Sequence, residues 1–212
     1  MDTSIAGIRT DYKLRSLTEA DVAANPFEQF TRWWQEAVHS KIEEVNAMTL
    51  ATATKEGQPS ARIVLLKGYD NNGFTFFTNY DSQKGNEMAE NPHIALVFFW
   101  RELERQVRIE GLVKQTSAAI SDEYFFSRPA GSRIGAWSSP QSKVIESREV
   151  LEEKEQQFIK QFGENIPRPP HWGGYVVAPR MIEFWQGRSN RLHDRIQYRV
   201  EKDNWRIVRL AP

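Results

Sequence analysis

The sequence predicts an α+β domain in which an antiparallel β-sheet closes into a small barrel flanked by helices. Three observations indicate this fold class. Five short segments between residues 47 and 113 are rich in β-branched and aromatic residues, as strands are. Turn-forming residues separate these segments. Stretches with helical hydrophobic spacing lie before and after them, and successive short strands with hairpin turns favour an antiparallel barrel.

The N-terminal region is predicted to contain an arm and a helix. Residues 1–20 are polar and lack a hydrophobic period, so we expect them to form a mobile arm. The helix is predicted to begin after Asn25, because Asn is a favoured N-cap residue and Pro26 suits the first helical position. Helical spacing then predicts one apolar face, made by Phe27, Phe30, Trp34, Ala37 and Val38.

The central region is predicted to form five strands, with the sequences AMTLATAT, ARIVLLKGY, GFTFFTNY, HIALVFFW and RQVRIEGLV. The Asn72-Gly73 pair before the third strand is typical of a type I′ hairpin turn. A short helix is predicted within DSQKGNEMAENP, where Pro92 ends the helical pattern.

The C-terminal region is predicted to begin with helices in SAAISDEYFFSRP and REVLEEKEQQFIKQFG, and Gly163 is placed to end the second helix. Three strands are predicted to follow a proline-rich connector, in GGYVVAP, RMIEFWQG and DNWRIVRL. No repeat or long linker divides the chain, so residues 21–212 are predicted to be one domain.

The composition excludes several classes of chemistry. The absence of cysteine excludes thiolate catalysis, cysteine-bound metal and disulfides. The 28 basic and 28 acidic residues give zero net charge, so no overall field attracts nucleic acid. The four histidines lack metal-ligand spacing, and dinucleotide, P-loop and nucleophile-elbow motifs are absent. Without a signal-peptide core or an apolar span, we expect a cytoplasmic protein with no membrane partner.

Several cationic and polar side chains could instead bind an anion. Arg62 and Lys67 lie on one predicted strand, but their odd spacing gives them opposite faces unless the strand ends or bulges near Lys67. Lys84 lies at a predicted helix N-terminus, which favours phosphate. Other donors for phosphate are Tyr124, Arg128, Ser132, Arg133, Gln141 and Ser142.

The residues alone leave a second interpretation open. The same side chains could be exposed charges at strand ends, arginines that complement a helix C-terminus, and a polar loop. The segment FWQGRSNRLHDR, from Phe184 to Arg195, has the same two interpretations: it is either a solvated turn or one wall of an anion site.

A series of blocks gives a more specific indication: RIVLLKGYD, FFTNYDSQKG, ERQVRIEG, YFFSRPAGSRIGAW, PQSKVI, WGGYVV, IEFWQGRSNRLHDR and RLAP. In this order they resemble the pyridoxamine/pyridoxine 5′-phosphate oxidase family from about residue 9 to the C-terminus. The resemblance implies an FMN-binding split β-barrel, antiparallel and Greek-key-like with flanking helices, in a homodimer. It also implies oxidation of pyridoxamine 5′-phosphate and pyridoxine 5′-phosphate to pyridoxal 5′-phosphate, with O2 reduced to H2O2.

The resemblance also implies roles for individual residues. The positions that match FMN-binding residues are Arg62, Ile63, Val64, Leu65, Leu66, Lys67, Phe77, Thr78, Gln83, Lys84, Gln106, Gln141, Ser142, Trp185 and Arg195. The positions that match substrate-binding residues are Arg9, Tyr12, Lys67, Tyr124, Arg128, Ser132, Arg191 and His193. Arg191 and His193 would lie over the substrate ring, where they either position it or, in the case of His193, transfer a proton.

Two departures from the family pattern stand out. The family usually has Arg-Lys where this chain has Gln83-Lys84, and a neutral donor is expected to weaken FMN binding by about 1 kcal/mol, or several-fold. The segment RTDY, which would close over the site as part of the arm, is less basic than in some members. Two alternatives stay open: another split-barrel flavoprotein, or a non-catalytic module that binds flavin or pyridoxal phosphate.

Overall fold

The computed structural model describes residues 5–8 and 10–212, so Arg9 lies outside the described residues. The α-helices are α1 (Pro26–His39), α2 (Gln83–Glu90), α3 (Ala118–Ser127), α4 (Ala130–Ser138) and α5 (Glu149–Phe162). The strands are β1 (Ala47–Ala53), β2 (Pro59–Leu65), β3 (Gly68–Asp70), β4 (Gly73–Asn79), β5 (His93–Trp100), β6 (Arg105–Gln115), β7 (Trp172–Gln186), β8 (Asp194–Glu201) and β9 (Asn204–Leu210). Short 3-10 turns occupy Ile5–Gly7, Arg101–Leu103 and Ser189–Arg191.

The strands form one sheet whose hydrogen-bonded neighbours follow the order β2-β1-β5-β6-β7-β4-β3, and β8 pairs with β7 and β9. The pairs β3–β4, β4–β7, β7–β8 and β8–β9 are antiparallel. Helices and an antiparallel sheet therefore make up the α+β architecture that the sequence predicts.

The chain folds into two compact units. The first contains the described residues up to Thr49, together with Ala95–Glu110 and Pro179–Pro212. The second contains Leu50–Ile94 and Gly111–Ala178.

Helix α1 supplies much of the aromatic core of the first unit. Its N-cap Asn25 accepts a hydrogen bond from the Phe27 N–H, as predicted. Phe30 packs against Phe98 with ring centroids 5.5 Å apart, and Trp33 meets Phe184 edge-on at 5.2 Å. The predicted face is wrong in one position, because Trp33 is buried whereas Val38 is 48% exposed.

Strand β4 and the first half of β7 form the centre of the second unit, where Phe77 lies opposite Gly174. The predicted hairpin before β4 is confirmed, but the type I′ turn is wrong. Asp70 pairs with Gly73, so Asn71 and Asn72 are the central residues, and Asn72 does not have the positive φ that a type I′ turn requires. Gly73 has a φ of 140°, and a Cβ there would lie 1.9 Å from the Val177 carbonyl oxygen.

The C-terminal strands differ most from the prediction. The first two predicted segments form the single strand β7, which has 15 residues and runs through Pro179. Strand β8, with the sequence DRIQYRVE, was not predicted. Helix α4 was not predicted separately from α3 either, and only Arg128 and Pro129 lie between the two.

Candidate active site

The second unit contains a cavity of about 340 Å³. Its lining consists of Arg62, Ile63, Val64, Leu65, Lys67, Phe77, Thr78, Asn79, Lys84, Tyr124, Arg128, Gln141 and Trp172. Apart from Asn79 and Trp172, every lining residue is one that the resemblance assigns to cofactor or substrate. The structure thus brings together most of the predicted site residues of the second unit.

The cavity is strongly cationic. Four of its lining residues, Arg62, Lys67, Lys84 and Arg128, are basic, and no aspartate or glutamate lines it. Burial and then the charge of Arg62 lower the pKa of Lys84, and burial lowers the pKa of Arg128. The Nη1 atom of Arg128 is buried without a hydrogen-bond partner. An anion in the cavity would offset this repulsion and supply the missing acceptor.

Arg62 and Lys67 both reach the cavity because the strand between them ends. Strand β2 stops at Leu65, and β3 begins at Gly68. In between, the Lys67 N–H donates to the Thr75 carbonyl at 2.8 Å, which holds this break against β4. The alternation of side chains between the two faces of the strand is therefore interrupted between Arg62 and Lys67. This is the condition under which the two cations can reach one ligand.

Lys84 reaches the cavity from the first turn of α2. The Ser82 side chain caps this helix by accepting from the Gly85 N–H. The Lys84 Nζ lies 3.0 Å from Gln141 Oε1 and 3.3 Å from Thr78 Oγ1. A cation, a hydroxyl and an amide thus converge beside a helix N-terminus, which is suited to phosphate.

An aromatic wall forms one side of the cavity. The Tyr124 ring stacks on Phe77 with centroids 4.0 Å apart and an interplanar angle of 24°. Phe77 in turn stacks on Trp172 at 5.7 Å. The Arg128 guanidinium carbon lies 4.6 Å from the centre of the Trp172 ring, a cation–π contact that orients this arginine. The sequence gives no signal for this role of Trp172, which begins a mostly buried strand.

The other predicted residues of the second unit lie outside the lining. Leu66 is 5% exposed and belongs to the core. The Gln83 side chain donates to Glu87 Oε1 at 2.8 Å. Ser132 is exposed on α4, and Ser142 is exposed at a positive φ of 69°. Their roles toward a ligand stay predictions.

The first unit contains a second cavity, of about 580 Å³, lined by Ile8, Thr10, Asp11, Tyr12, Arg188, Asn190, Arg191 and His193. The His193 ring lies 4.6 Å from Trp185 and 6.1 Å from Tyr12, measured between ring centroids. Arg191 and Asn190 both have positive φ, which turns the chain sharply before β8. Tyr12, Arg191 and His193, all predicted substrate residues, therefore line one cavity.

The hydrogen bonding of His193 fixes which nitrogen carries its proton. The Arg188 backbone N–H donates to His193 Nδ1 at 3.0 Å, so the neutral ring carries its proton on Nε2. Burial and then the charge of Arg191 lower the pKa of His193 below its ordinary value, against an opposing effect of Asp194. The neutral ring therefore presents an N–H donor rather than a basic lone pair.

Arg195, a predicted FMN residue, is held by a carboxylate that sequence reasoning missed. Its Nε donates to Glu183 Oε1 at 2.9 Å and its Nη2 to Glu183 Oε2 at 3.1 Å. Glu183 is 1% exposed, and it also accepts from Gln197. Gln106, another predicted FMN residue, is half-buried on β6.

Asp194 binds several groups of the first unit, and Arg188 lies beside it. Asp194 accepts from Arg209 Nη1 at 2.9 Å and from the Leu17 N–H at 3.0 Å. Arg188 lies 3.5 Å from the same carboxylate. Asp194 thereby ties the N-terminal segment to β8 and β9.

The described residues were also compared with the requirements of a metal site and of a membrane-spanning helix. Within residues 5–8 and 10–212, no group of histidine, aspartate or glutamate side chains could hold a metal ion. None of the helices in the described part of the chain is long and apolar enough to cross a membrane.

Comparison with known families agrees with the resemblance seen in the sequence. Residues 34–162 match a family model described as pyridoxamine 5′-phosphate oxidase. Residues 172–212 match a second model, described as the pyridoxine 5′-phosphate oxidase C-terminal dimerisation region.

Individual relatives cover nearly the whole chain. Pyridoxine/pyridoxamine 5′-phosphate oxidase 1 of Ralstonia nicotianae is 60% identical over 99% of this chain and 100% of its own length. A Cyanothece protein with the corresponding name is 58% identical over 100% of both chains. The structure of PhzG from Burkholderia lata, in complex with tetrahydrophenazine-1-carboxylic acid, has a TM-score of 0.88 at 30% identity over 94% of this chain and 99% of its own. The chain belongs to the pyridoxamine 5′-phosphate oxidase family and has its α+β split-barrel fold.

Proposed function

We propose that this protein is an FMN-dependent oxidase that converts pyridoxamine 5′-phosphate and pyridoxine 5′-phosphate to pyridoxal 5′-phosphate, a step of vitamin B6 metabolism. The observation that carries the proposal is the cavity of the second unit, in which four basic residues and an aromatic wall occur without an acid. The 60% identity to a protein named for this activity supports the same assignment.

The residues of this cavity fit FMN. A phosphomonoester carries about −1.5 to −2 charges near neutral pH, which suits the lining cations Lys67, Lys84 and Arg128. Lys84, Thr78 and Gln141 would hold the FMN phosphate, because their polar atoms converge at the start of α2. The β2 residues from Arg62 to Leu65 and Phe77 would line the flavin. Arg195 would also face the cofactor, with its guanidinium fixed by Glu183.

The remaining side chains would bind and orient the substrate. Bound FMN supplies hydride acceptance from substrate C4′ and reoxidation by O2, with formation of H2O2. Arg128, Lys67 and Tyr124 would hold the substrate phosphate, and Arg191 would contact the substrate ring. His193 would donate its Nε2 proton to a substrate acceptor, because its Nδ1 is engaged by the Arg188 N–H.

A homodimer is part of this proposal. Residues 172–212 match a dimerisation region. Strand β2 stands at one end of the sheet order and exposes apolar side chains, with Ile63 63% and Leu65 36% exposed. The flavin and a partner subunit would together remove these side chains from water.

The test of the proposed function is an absorbance spectrum of the purified protein after FMN is added and the excess removed. We expect the protein to show flavin absorbance. Pyridoxine 5′-phosphate should bleach this absorbance in the absence of oxygen, and air should restore it with formation of H2O2. A protein that retains no flavin, or whose bound flavin is not bleached, would contradict the proposal.

A second candidate function follows from PhzG, whose structure holds a tricyclic carboxylic acid. An oxidase for such a substrate would use FMN but would have no need of a second phosphate site. Turnover of a tetrahydrophenazine carboxylic acid in preference to pyridoxine 5′-phosphate would favour this candidate. The greater identity to the pyridoxine/pyridoxamine 5′-phosphate oxidases favours the first.

Replacing His193 with alanine should raise KM about fivefold to tenfold and lower kcat by less, because a donor to the substrate is lost rather than a base. Replacing it with glutamine should restore much of the affinity, since the amide supplies an N–H without a group that titrates near neutrality. Because the pKa of His193 is lowered, the ring protonates only below about pH 6.5, and its ionisation should not shape kcat above that pH. A large loss of kcat in both variants, with a changed pH profile, would instead indicate proton transfer by His193.

A further inference from the structure

We infer that Glu87 sets the charge of the FMN cavity: it neutralises Arg62 and thereby limits the affinity for the FMN phosphate while stabilising the cofactor-free protein. This inference rests on the proposed function, since it concerns the same cavity. Glu87 lies on α2, behind the lining residues Arg62 and Lys84. The resemblance assigns it no role.

The Glu87 carboxylate is buried and saturated with donors. The side chain is 5% exposed. Its Oε2 accepts from Ser60 at 2.6 Å, from Arg62 Nη2 at 3.3 Å and from the Thr52 hydroxyl, and its Oε1 accepts from Gln83 at 2.8 Å. Burial alone would raise the pKa of Glu87, but these hydrogen bonds and the Arg62 charge hold it at about 2. The group is therefore an anion at any pH used to study binding.

Arg62 consequently brings little net charge to the cavity. Besides Glu87, its guanidinium donates to the Leu50 carbonyl, to Thr52 and to Ser60. These contacts place its donors in a network behind the cavity wall. Among the described residues, no acidic side chain forms a salt bridge with the other lining cations Lys67, Lys84 and Arg128. These three supply the charge that an anionic ligand meets.

Glu87 also relieves repulsion among the cations. The pKa of Lys84 is lowered by burial and by Arg62, and Glu87 opposes this effect. Without a ligand, Glu87 is thus the anion that allows Lys84 and Arg62 to lie near each other. When the FMN phosphate is present, the same carboxylate repels it. Stability of the cofactor-free cavity and affinity for the cofactor therefore change in opposite directions with the charge of residue 87.

Gln83 provides an independent way to change this charge. The family usually has arginine at this position, and in this chain the Gln83 amide donates to Glu87. Glu87→Gln removes one negative charge, whereas Gln83→Arg adds one positive charge and leaves Glu87 in place. Both variants raise the local charge by one, but the guanidinium introduced by Gln83→Arg would also donate to the FMN phosphate, as the family pattern implies. Glu87→Gln therefore tests the carboxylate itself, and Gln83→Arg gives the effect of a cation added beside it.

The experiment is a titration of the FMN-free protein with FMN, followed by flavin fluorescence at low and high salt. We expect each variant to lower Kd by about fivefold at low salt, an effect that salt should reduce because it screens charge. The matched control is Glu90→Gln, which makes the same charge change at an exposed position of α2 and should alter Kd by less than about twofold. The Tm of FMN-free Glu87→Gln should lie below that of the wild type.

The possible outcomes separate this inference from the proposed function. A wild-type protein that binds no FMN overturns the proposed function. A wild type that binds FMN, with variants that bind it equally or more weakly, overturns the role of Glu87 alone. Weaker binding by Glu87→Gln together with tighter binding by Gln83→Arg also overturns it, since Glu87 would then act by orienting Arg62. If Glu87→Gln does not fold, the smaller neutral variant Glu87→Ser is titrated in its place, and a Kd equal to or above that of the wild type overturns the role of Glu87.

Discussion

Replacing Arg128 with alanine is expected to raise KM for pyridoxine 5′-phosphate by about 100-fold, because a charge-assisted, two-pronged contact with the substrate phosphate is lost. The structure supports an effect of this size. The Arg128 guanidinium lies over Trp172, burial lowers its pKa, and its Nη1 is buried without an acceptor. The measurement is steady-state oxidation monitored by H2O2 formation.

Two controls make the Arg128 prediction specific. Arg128→Lys keeps the charge but loses the planar fork, so its KM should fall between those of the wild type and the alanine variant. Pyridoxine without phosphate should be oxidised equally poorly by the wild type and by Arg128→Ala. If the alanine variant lost the same factor with both substrates, Arg128 would not be the phosphate ligand.

Replacing Glu183 with glutamine is expected to lower the free energy of unfolding by about 2–3 kcal/mol, because it leaves the Arg195 guanidinium without its carboxylate in a partly buried site. Glu183 is 1% exposed, and Arg195 contacts both of its oxygens. A single amide oxygen cannot replace that pair of acceptors. The measurement is urea unfolding of the FMN-free protein, followed by circular dichroism.

The matched control for Glu183 is Glu201→Gln, which removes an exposed partner of Arg206. Exposed ion pairs contribute about 0–1 kcal/mol, so this variant should unfold at nearly the wild-type urea concentration. Equal midpoints for the two variants would show that the bond between Glu183 and Arg195 does not stabilise the fold.

Local sequence pattern was sufficient for the elements whose side chains follow a regular period. Helix α1 begins after its predicted cap, and Lys84 lies in the first turn of a short helix, as predicted. Strand β8 was missed although Ile196, Tyr198 and Val200 alternate with polar residues, because the preceding segment up to Arg195 was interpreted only as a turn or an anion site. The Tyr198 hydroxyl donates to the Ala23 carbonyl, a contact between distant parts of the sequence.

The candidate site shows the same limit. The basic residues could be recognised in the sequence as donors. Glu87 and Glu183, which bind Arg62 and Arg195, could not be recognised as their partners. Glu87 occurs in a polar helix and looks solvated, yet it is 5% exposed because Thr52 and Ser60, far away in sequence, supply its donors. Arg62 and Lys67 could be placed together only once β2 was seen to end at Leu65. Such contacts depend on tertiary structure, which residue spacing does not encode.

Because Arg128 contacts Trp172, the fluorescence of Trp172 should respond to an anion that binds to Arg128. An indole ring that faces a guanidinium group experiences a strong local field, and the Arg128 guanidinium carbon lies 4.6 Å from the centre of this ring. A phosphate that draws the guanidinium toward itself would change that field and with it the emission of Trp172. Stopped-flow fluorescence could then follow the arrival of inorganic phosphate without a label. Trp172→Phe should abolish that signal, leaving the other tryptophans as a constant background.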